Sequence, residues 1–146
     1  MRYDLKQVQE LCAELGLRSS VVVEEPAEWA EVDLGGDAVL CFVNAAHDKD
    51  CLVGFKGTGW HFHDDFVFED RDGSVVIRLN YLDLLGRIKN GQIVVLEHWR
   101  SGQLHSRALV HSDSDNVLHY ITVVQTLEAG AEIRIWRAPR YGQHAA

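Results

Sequence analysis

The stretch FVFEDRDGSVVIRL, residues 66–79, decides how the chain is to be read. Asp72-Gly73 stands at its centre, a dipeptide whose tolerance of positive φ suits the type I′ turn of a β-hairpin. A two-residue loop there sets Phe68 opposite Ile77 and Phe66 opposite Leu79, with Val75 on the same side. Hydrophobic alternation gives that register independently, so turn chemistry and side-chain pattern agree. An antiparallel sheet is the expected framework.

The flanking sequence extends it. NYLDLLGRIKNG follows as a short helix: Tyr81, Leu84, Leu85 and Ile88 form an apolar stripe, Lys89 falls in the last turn and Asn90-Gly91 can stop it. QIVVLEHWR and QLHSRALVH read as a second hairpin turning at Ser101-Gly102. Upstream, residues 3–16 place Leu5, Val8, Leu11, Cys12 and Leu15 at helical spacing, with Gly16 as a left-handed cap. SSVVV, DAVLCFVN and DCLVGF are β-rich runs, the last after a polar loop, AAHDKD. AEIRIWRA is a closing strand. NVLHYITVVQTL, residues 116–127, is open between strand, which its β-branched residues favour, and helix, which its length suits. The sum is one α+β domain over residues 1–146, a mostly antiparallel sheet with two short helices and no βαβ array.

Composition places this domain among globular proteins. The chain has 146 residues, 47% hydrophobic and 25% charged, enough to bury a core. No run approaches the roughly 18 apolar residues of a membrane helix, and MRYDLKQVQELC has no apolar signal-peptide core. Cys12, Cys41 and Cys51 cannot all pair and show no CxxC spacing, which points to a reducing, cytoplasmic setting. Net charge is −8, unevenly spread. Residues 1–73 carry a net of −10 and residues 74–146 a net of +2, and residues 19–48 contain no Lys or Arg. Glu24, Glu25, Glu28, Glu31, Asp33 and Asp37 fall in that stretch with Trp29 among them. Such a field repels nucleic acid and favours a basic protein partner. An aromatic ringed by carboxylates has the composition of a binding hot spot, and equally that of a buried anchor.

GTGWHFHDDFVFED, residues 57–70, carries the main candidate chemistry. Strand alternation puts Trp60, Phe62, Phe66 and Phe68 on one face and His61, His63, Asp65, Val67 and Glu69 on the other, with a bend at Asp64-Asp65 able to reset it. This accounts for the segment without chemistry. The alternative is a metal site in which His61 and His63 converge on one ion, joined by Asp65, His98 or His105. The last two are set opposite each other by a two-residue Ser101-Gly102 loop. The cupin pattern fails, because Glu69 comes late and the second motif is missing. HSDSDN, residues 111–116, breaks the calcium-loop pattern at Val117 and reads as a turn. GFKGTG lacks the Lys-Ser/Thr ending of a phosphate loop. Cys41 and Cys12 sit in apolar surroundings and read as core; no nucleophile, dinucleotide or catalytic motif is present.

GTGWHFHDDFVFED, YLDLLGRIKNGQIVVLEHWRSG and LEAGAEIRIWR, about half the chain, resemble segments of bacterial polymorphic-toxin immunity proteins. The resemblance implies a small acidic protein without cofactor or catalytic residues. It would be a tight stoichiometric inhibitor of a basic cognate toxin or effector domain. The charge segregation, not the resemblance, points to the acidic residues 24–37 as its binding surface, with Trp29 as anchor. The competing expectations are the metal-binding or metal-dependent domain built on His61 and His63, and an escort dimer of the secretion-chaperone kind.

Overall fold

The computed structural model describes residues 2–142. Helix α1 (Leu5–Leu15) leads into strands β1 (Arg18–Glu24), β2 (Ala27–Asp33), β3 (Val39–Asn44), β4 (Leu52–Phe55) and β5 (His61–Phe62), which pair in that order in one antiparallel sheet. β6 (Phe66–Glu69) and β7 (Val75–Leu79) form a separate hairpin. Helix α2 (Tyr81–Lys89) connects to β8 (Ile93–Arg100) and β9 (Gln103–His111); α3 (Asp115–Leu127) and β10 (Ala131–Trp136) complete a three-stranded antiparallel sheet in the order β10-β8-β9. The α+β architecture with a mostly antiparallel sheet is as expected, with three α-helices where two were expected.

Each helix begins on a side chain that satisfies otherwise orphaned amides. Asp4 accepts from Gln7 N at 3.0 Å, and Asn80 accepts from Leu82 N and Asp83 N at 3.0 and 2.8 Å. Ser114 starts α3, accepting from Asn116 N while its own hydroxyl donates to Glu69 O at 3.0 Å. That cap settles residues 117–127 as helix, and Val117 and Val124, seven residues apart, are its buried positions. HSDSDN is thus a turn and cap. It ties α3 to the β6–β7 loop through Arg71 N to Asp115 Oδ1 at 2.8 Å and Asp115 N to Asp70 Oδ1 at 3.1 Å. Gly16 ends α1 at φ 72, as its position predicts.

The β6–β7 hairpin keeps the expected pairs, Phe66 with Leu79 and Phe68 with Ile77, but reaches them differently. Gly73 N donates to Asp70 O, Asp70 N donates to Ser74 O, and Gly73 lies at φ 84. The loop therefore has three residues, and a bulge between Phe68 and Glu69 absorbs the odd one. The Ser101-Gly102 turn is the expected two-residue kind, with φ of 52 and 77 and Arg100 opposite Gln103.

Leu5, Val8 and Cys12 of α1 and Leu84, Leu85 and Ile88 of α2 pack with Ala30, Val32, Leu40, Phe42, Val53 and Phe55 on one face of the five-stranded sheet. Trp60, Phe62, Phe66 and Phe68 form an aromatic chain, with centroid separations of 5.8 Å (Trp60–Phe62) and 4.1 Å (Phe62–Phe66 and Phe66–Phe68). Strand 60–69 is nevertheless broken: Asp64 adopts φ 57, so His61 and Phe66 belong to different sheets.

Two elements lock the sheets together. Arg107 on β9 is buried and meets buried Glu97 on β8 at 2.7 and 2.8 Å, while its remaining N–H groups point at the carbonyls of Gly36 and Asp37 in the β2–β3 loop. The C-terminal segment then runs beside that loop, Arg140 N donating to Leu34 O at 2.8 Å. A Cβ on Gly35 would lie 2.3 Å from Arg140 O, so only glycine permits the approach.

Arg107→Met is expected to cost about 3–5 kcal/mol in chemical denaturation because it strands a buried carboxylate, and Glu97→Leu added to it should recover most of the loss. Two glycines should move stability in opposite directions. A Cβ at Gly86 in α2 meets nothing within 4 Å, so Gly86→Ala should gain about 0.5–1 kcal/mol. At Gly54 it would lie 2.7 Å from Trp60 O, so Gly54→Ala should lower the thermal midpoint by prising β5 from β4.

Candidate functional site

Antiparallel connection gathers the acids. β1 runs up to Glu24 and β2 returns from Ala27; β3 runs up to Asn44 and β4 returns from Leu52; β5 runs up to Phe62 and residues 63–65 follow. Three connections therefore meet at one end of the sheet. They carry Glu24 and Glu25, Asp48 and Asp50, and Asp64 and Asp65, all exposed, with Glu28 one position in, paired with Asn44. Lys49 lies in the same loop, and Arg2 approaches Asp48 at 3.6 Å. Carboxylates outnumber cations at this end, so the local potential is negative.

The sheet face away from α1 and α2 adds an apolar component. Cross-strand pairing aligns Val22, Trp29, Val43 and Leu52 in one row, each half-buried. The next row is Ser20, Glu31, Cys41, Gly54 and His61. Trp29 donates its indole N–H to Glu31 Oε2 at 2.9 Å, and Lys56 Nζ stands 3.2 Å from the same oxygen. Those two contacts, the indole first, hold the Glu31 carboxyl below its ordinary range. The indole is thereby anchored through its N–H.

The expected partner-binding set separates accordingly. Glu24, Glu25 and Glu28 belong to the acidic end. Trp29 and Glu31 lie mid-sheet, on the open face, where Glu31 is already neutralised by Lys56. Asp33 accepts Gly35 N at 2.8 Å and, with exposed Asp37, sits at the opposite end. Residues 24–37 are thus not one surface: a β-strand turns successive side chains to opposite faces and carries its two ends about 20 Å apart over seven residues. Asp48, Asp50, Asp64 and Asp65 join the site in place of Asp33 and Asp37. The signal for them was the connectivity of adjacent hairpins rather than any linear motif.

The histidines do not assemble as one set. His61 and His63 have ring centroids 5.3 Å apart. His61 Nδ1 lies 2.9 Å from Gly59 O and His63 Nδ1 2.6 Å from Cys51 O, so in both rings Nδ1 carries the proton that a carbonyl requires. His98 and His105 belong to the other sheet. They are not directly opposite: a bulge between His98 and Trp99 pairs His98 with Ser106, though the rings remain 5.0 Å apart. His98 is buried, with Nε2 2.9 Å from Glu128 Oε2 and Nδ1 3.1 Å from the Tyr120 hydroxyl. The carboxylate accepts from Nε2–H, the hydroxyl donates to Nδ1, and the ring ties the middle of α3 and its C-cap residue to β8. Asp65 is exposed beyond β5. Among the described residues no three His, Cys, Asp or Glu side chains stand close enough to hold a metal ion.

A cavity of about 410 Å³ opens between β6, β9 and α3, walled by Val67, Phe68, Leu96, Leu109, Val117 and Tyr120. Its polar margin is already occupied: Ser114 and Asn116 bond Glu69 O, and Tyr120 bonds His98. Cys12, Cys41 and Cys51 are free and buried. Among the described residues no helix is long and apolar enough to cross a membrane.

Compared with known proteins, the chain matches no family model, no curated protein and no solved structure.

Burial pushes the thiols of Cys12 and Cys41 from 9.0 up to about 11. Native protein at pH 8 should therefore resist alkylation at both, and unfolded protein should react. A raised thiol pKa contributes stability below pH 9 that is lost as pH climbs to about 11. Denaturation midpoints measured from pH 8 to 11 should fall across that window, and less steeply in Cys12→Ala.

Proposed function

We propose that this chain is a non-enzymatic inhibitor of the toxin-immunity kind, which engages a basic protein domain through the acidic end of its five-stranded sheet. The observation that carries the proposal is the juxtaposition of that end with the row Val22, Trp29, Val43 and Leu52 on the open face. A protein interface needs an apolar centre that can be dried and a polar rim that selects the partner. Here the row supplies the centre. Glu24, Glu25, Asp50 and Asp65 supply a rim of one sign.

The chemistry of the partner follows from the rim. Carboxylates held on tight connections are pre-organised and lose little freedom on binding. A cationic groove that normally receives phosphates presents the complementary field, so a nuclease-type toxin domain is the best-matched class. Trp29 adds specificity. Its indole N–H is spent on Glu31, so the face offered to a partner is the ring, suited to an arginine or an apolar side chain.

Two measurements separate rim from centre, with a cationic nuclease-type domain as the binding partner. Reversing Glu25, Asp50 and Asp65 to Lys, which leaves Glu24 of the β1 edge in place, should slow association on the order of tenfold or more at low salt, with little change in dissociation or thermal midpoint. Trp29→Ala should mainly speed dissociation, at a cost of about 2 kcal/mol or more in affinity. Association that ignores the three reversals would remove the acidic end from the interface.

A further inference from the structure

The five-stranded sheet ends at β1, whose outer edge meets no other strand among the described residues and whose sequence reads as its own partner. We propose that β1 pairs antiparallel with β1 of a second copy, about a two-fold axis at Val21, and joins two five-stranded sheets into one of ten strands.

The first ground is the direction of the backbone groups. Tyr141 places its hydroxyl between β1 and β2, accepting from Arg18 N at 2.8 Å and donating to Asp33 O, so it bridges the paired residues Arg18 and Asp33. Arg18 therefore turns its backbone toward β2. Ser20, Val22 and Glu24 do the same, because antiparallel strands alternate. Ser19, Val21 and Val23 turn their N–H and C=O groups outward, where no strand among the described residues pairs with them.

The second is the absence of the devices that keep edges solitary. Natural edge strands are shortened, or carry Lys or Pro. β1 is seven residues, RSSVVVE, with neither. At the opposite edge of the same sheet β5 has only two residues. Val21 and Val23 are 38% and 59% exposed although β-branched and apolar, and a second strand would cover both.

The third is charge. Pairing centred on Val21 sets Arg18 opposite Glu24 of the second copy, Ser19 opposite Val23 and Ser20 opposite Val22. Both ionic ends are then matched with no residue left over. All outward-facing backbone groups, those of residues 19, 21 and 23, fall into hydrogen-bonded pairs. Arg18 and Glu24 make no ion pair within the chain among the described residues, Arg18 lying over the Tyr141 ring at 4.2 Å. A shift by two residues would forfeit the Arg18–Glu24 match. The occupant that fits this edge is therefore a second copy of the same chain, in which the row beginning at Val22 meets the row beginning at Ser20 of its partner.

The intact chain should sediment at twice its mass in the micromolar range. Val21→Lys with Val23→Lys, both at exposed positions, should give a folded monomer by sedimentation and circular dichroism. Arg18→Glu should weaken self-association about tenfold, and Arg18→Glu with Glu24→Arg should restore it, which loss of Tyr141 stacking alone would not allow. Register is read by oxidative cross-linking. Val21→Cys should form a disulfide between copies, since hydrogen-bonded partners sit about 5.5 Å apart at Cα. Val23→Cys should not, its copies lying roughly 13 Å apart along the strands. A wild-type chain that stays monomeric throughout that range, a lysine variant that still dimerises, or equal cross-linking at 21 and 23 would each overturn the proposal.

Discussion

The arrangement of the sheets rests on the burial of one guanidinium. Arg107 carries its charge to the boundary between the two larger sheets, and a charge taken out of water must be met on every side. Glu97 meets it along β8, and the carbonyls of Gly36 and Asp37 meet it from the β2–β3 loop. An apolar pair of the same volume could pack as well. It could not tell one placement of the loop from another, whereas the planar fork of N–H groups is satisfied only when the loop presents its carbonyls. Because Arg140 and Gly35 then close the same loop from outside, the three-stranded sheet and the C-terminal segment hold the first sheet at a single angle.

That rigidity bears on how the acidic end is assembled. Its carboxylates come from three separate connections, and mutual repulsion would splay them if the strands beneath could slide. They are held because Ala30, Val32, Leu40, Phe42 and Val53 pack without exposure beneath the same strands. The core thus stabilises the field, and its energy offsets a concentration of like charge that does nothing for folding.

What the sequence made legible was whatever lies within one hairpin or one helix. The registers of Phe66 with Leu79 and Phe68 with Ile77, the α2 stripe and the Ser101-Gly102 turn all follow from local pattern. The three-residue loop at Asp72-Gly73 did not, because a bulge downstream compensates for it and leaves the same pairs in place. The bulge beside His98 likewise has no local signature. It allows His98 to turn between Glu128 and Tyr120, a tertiary requirement. Helix α3 was ambiguous for a physical reason: its β-branched residues favour strand, and the cap that decides otherwise depends on Ser114 reaching Glu69, 45 residues away. The acidic residues were visible singly. Their grouping was not, since it depends on which connections share an end of the sheet, and a linear window of 24–37 joins residues that the strand separates.

The same sheet presents two surfaces of unlike character, and the difference assigns them different tasks. The acidic end is charged, exposed and built from turns, so it suits rapid encounter with a partner that brings the opposite charge. The β1 edge is apolar and its ionic residues are complementary in pairs, so it suits a partner that carries the same sequence. The two surfaces meet at Glu24, the last residue of β1 and a member of the acidic end, while the outward backbone groups of β1 lie in the plane of the sheet and the Trp29 row lies on its face. A two-fold at Val21 would set two such rows on the same face of one continuous sheet, offset by two residues because Val22 would stand opposite Ser20. Val22, next to the edge and first in the row, would then bring the two open faces together at the junction, so that pairing at the edge and contact on the face would be linked through one strand.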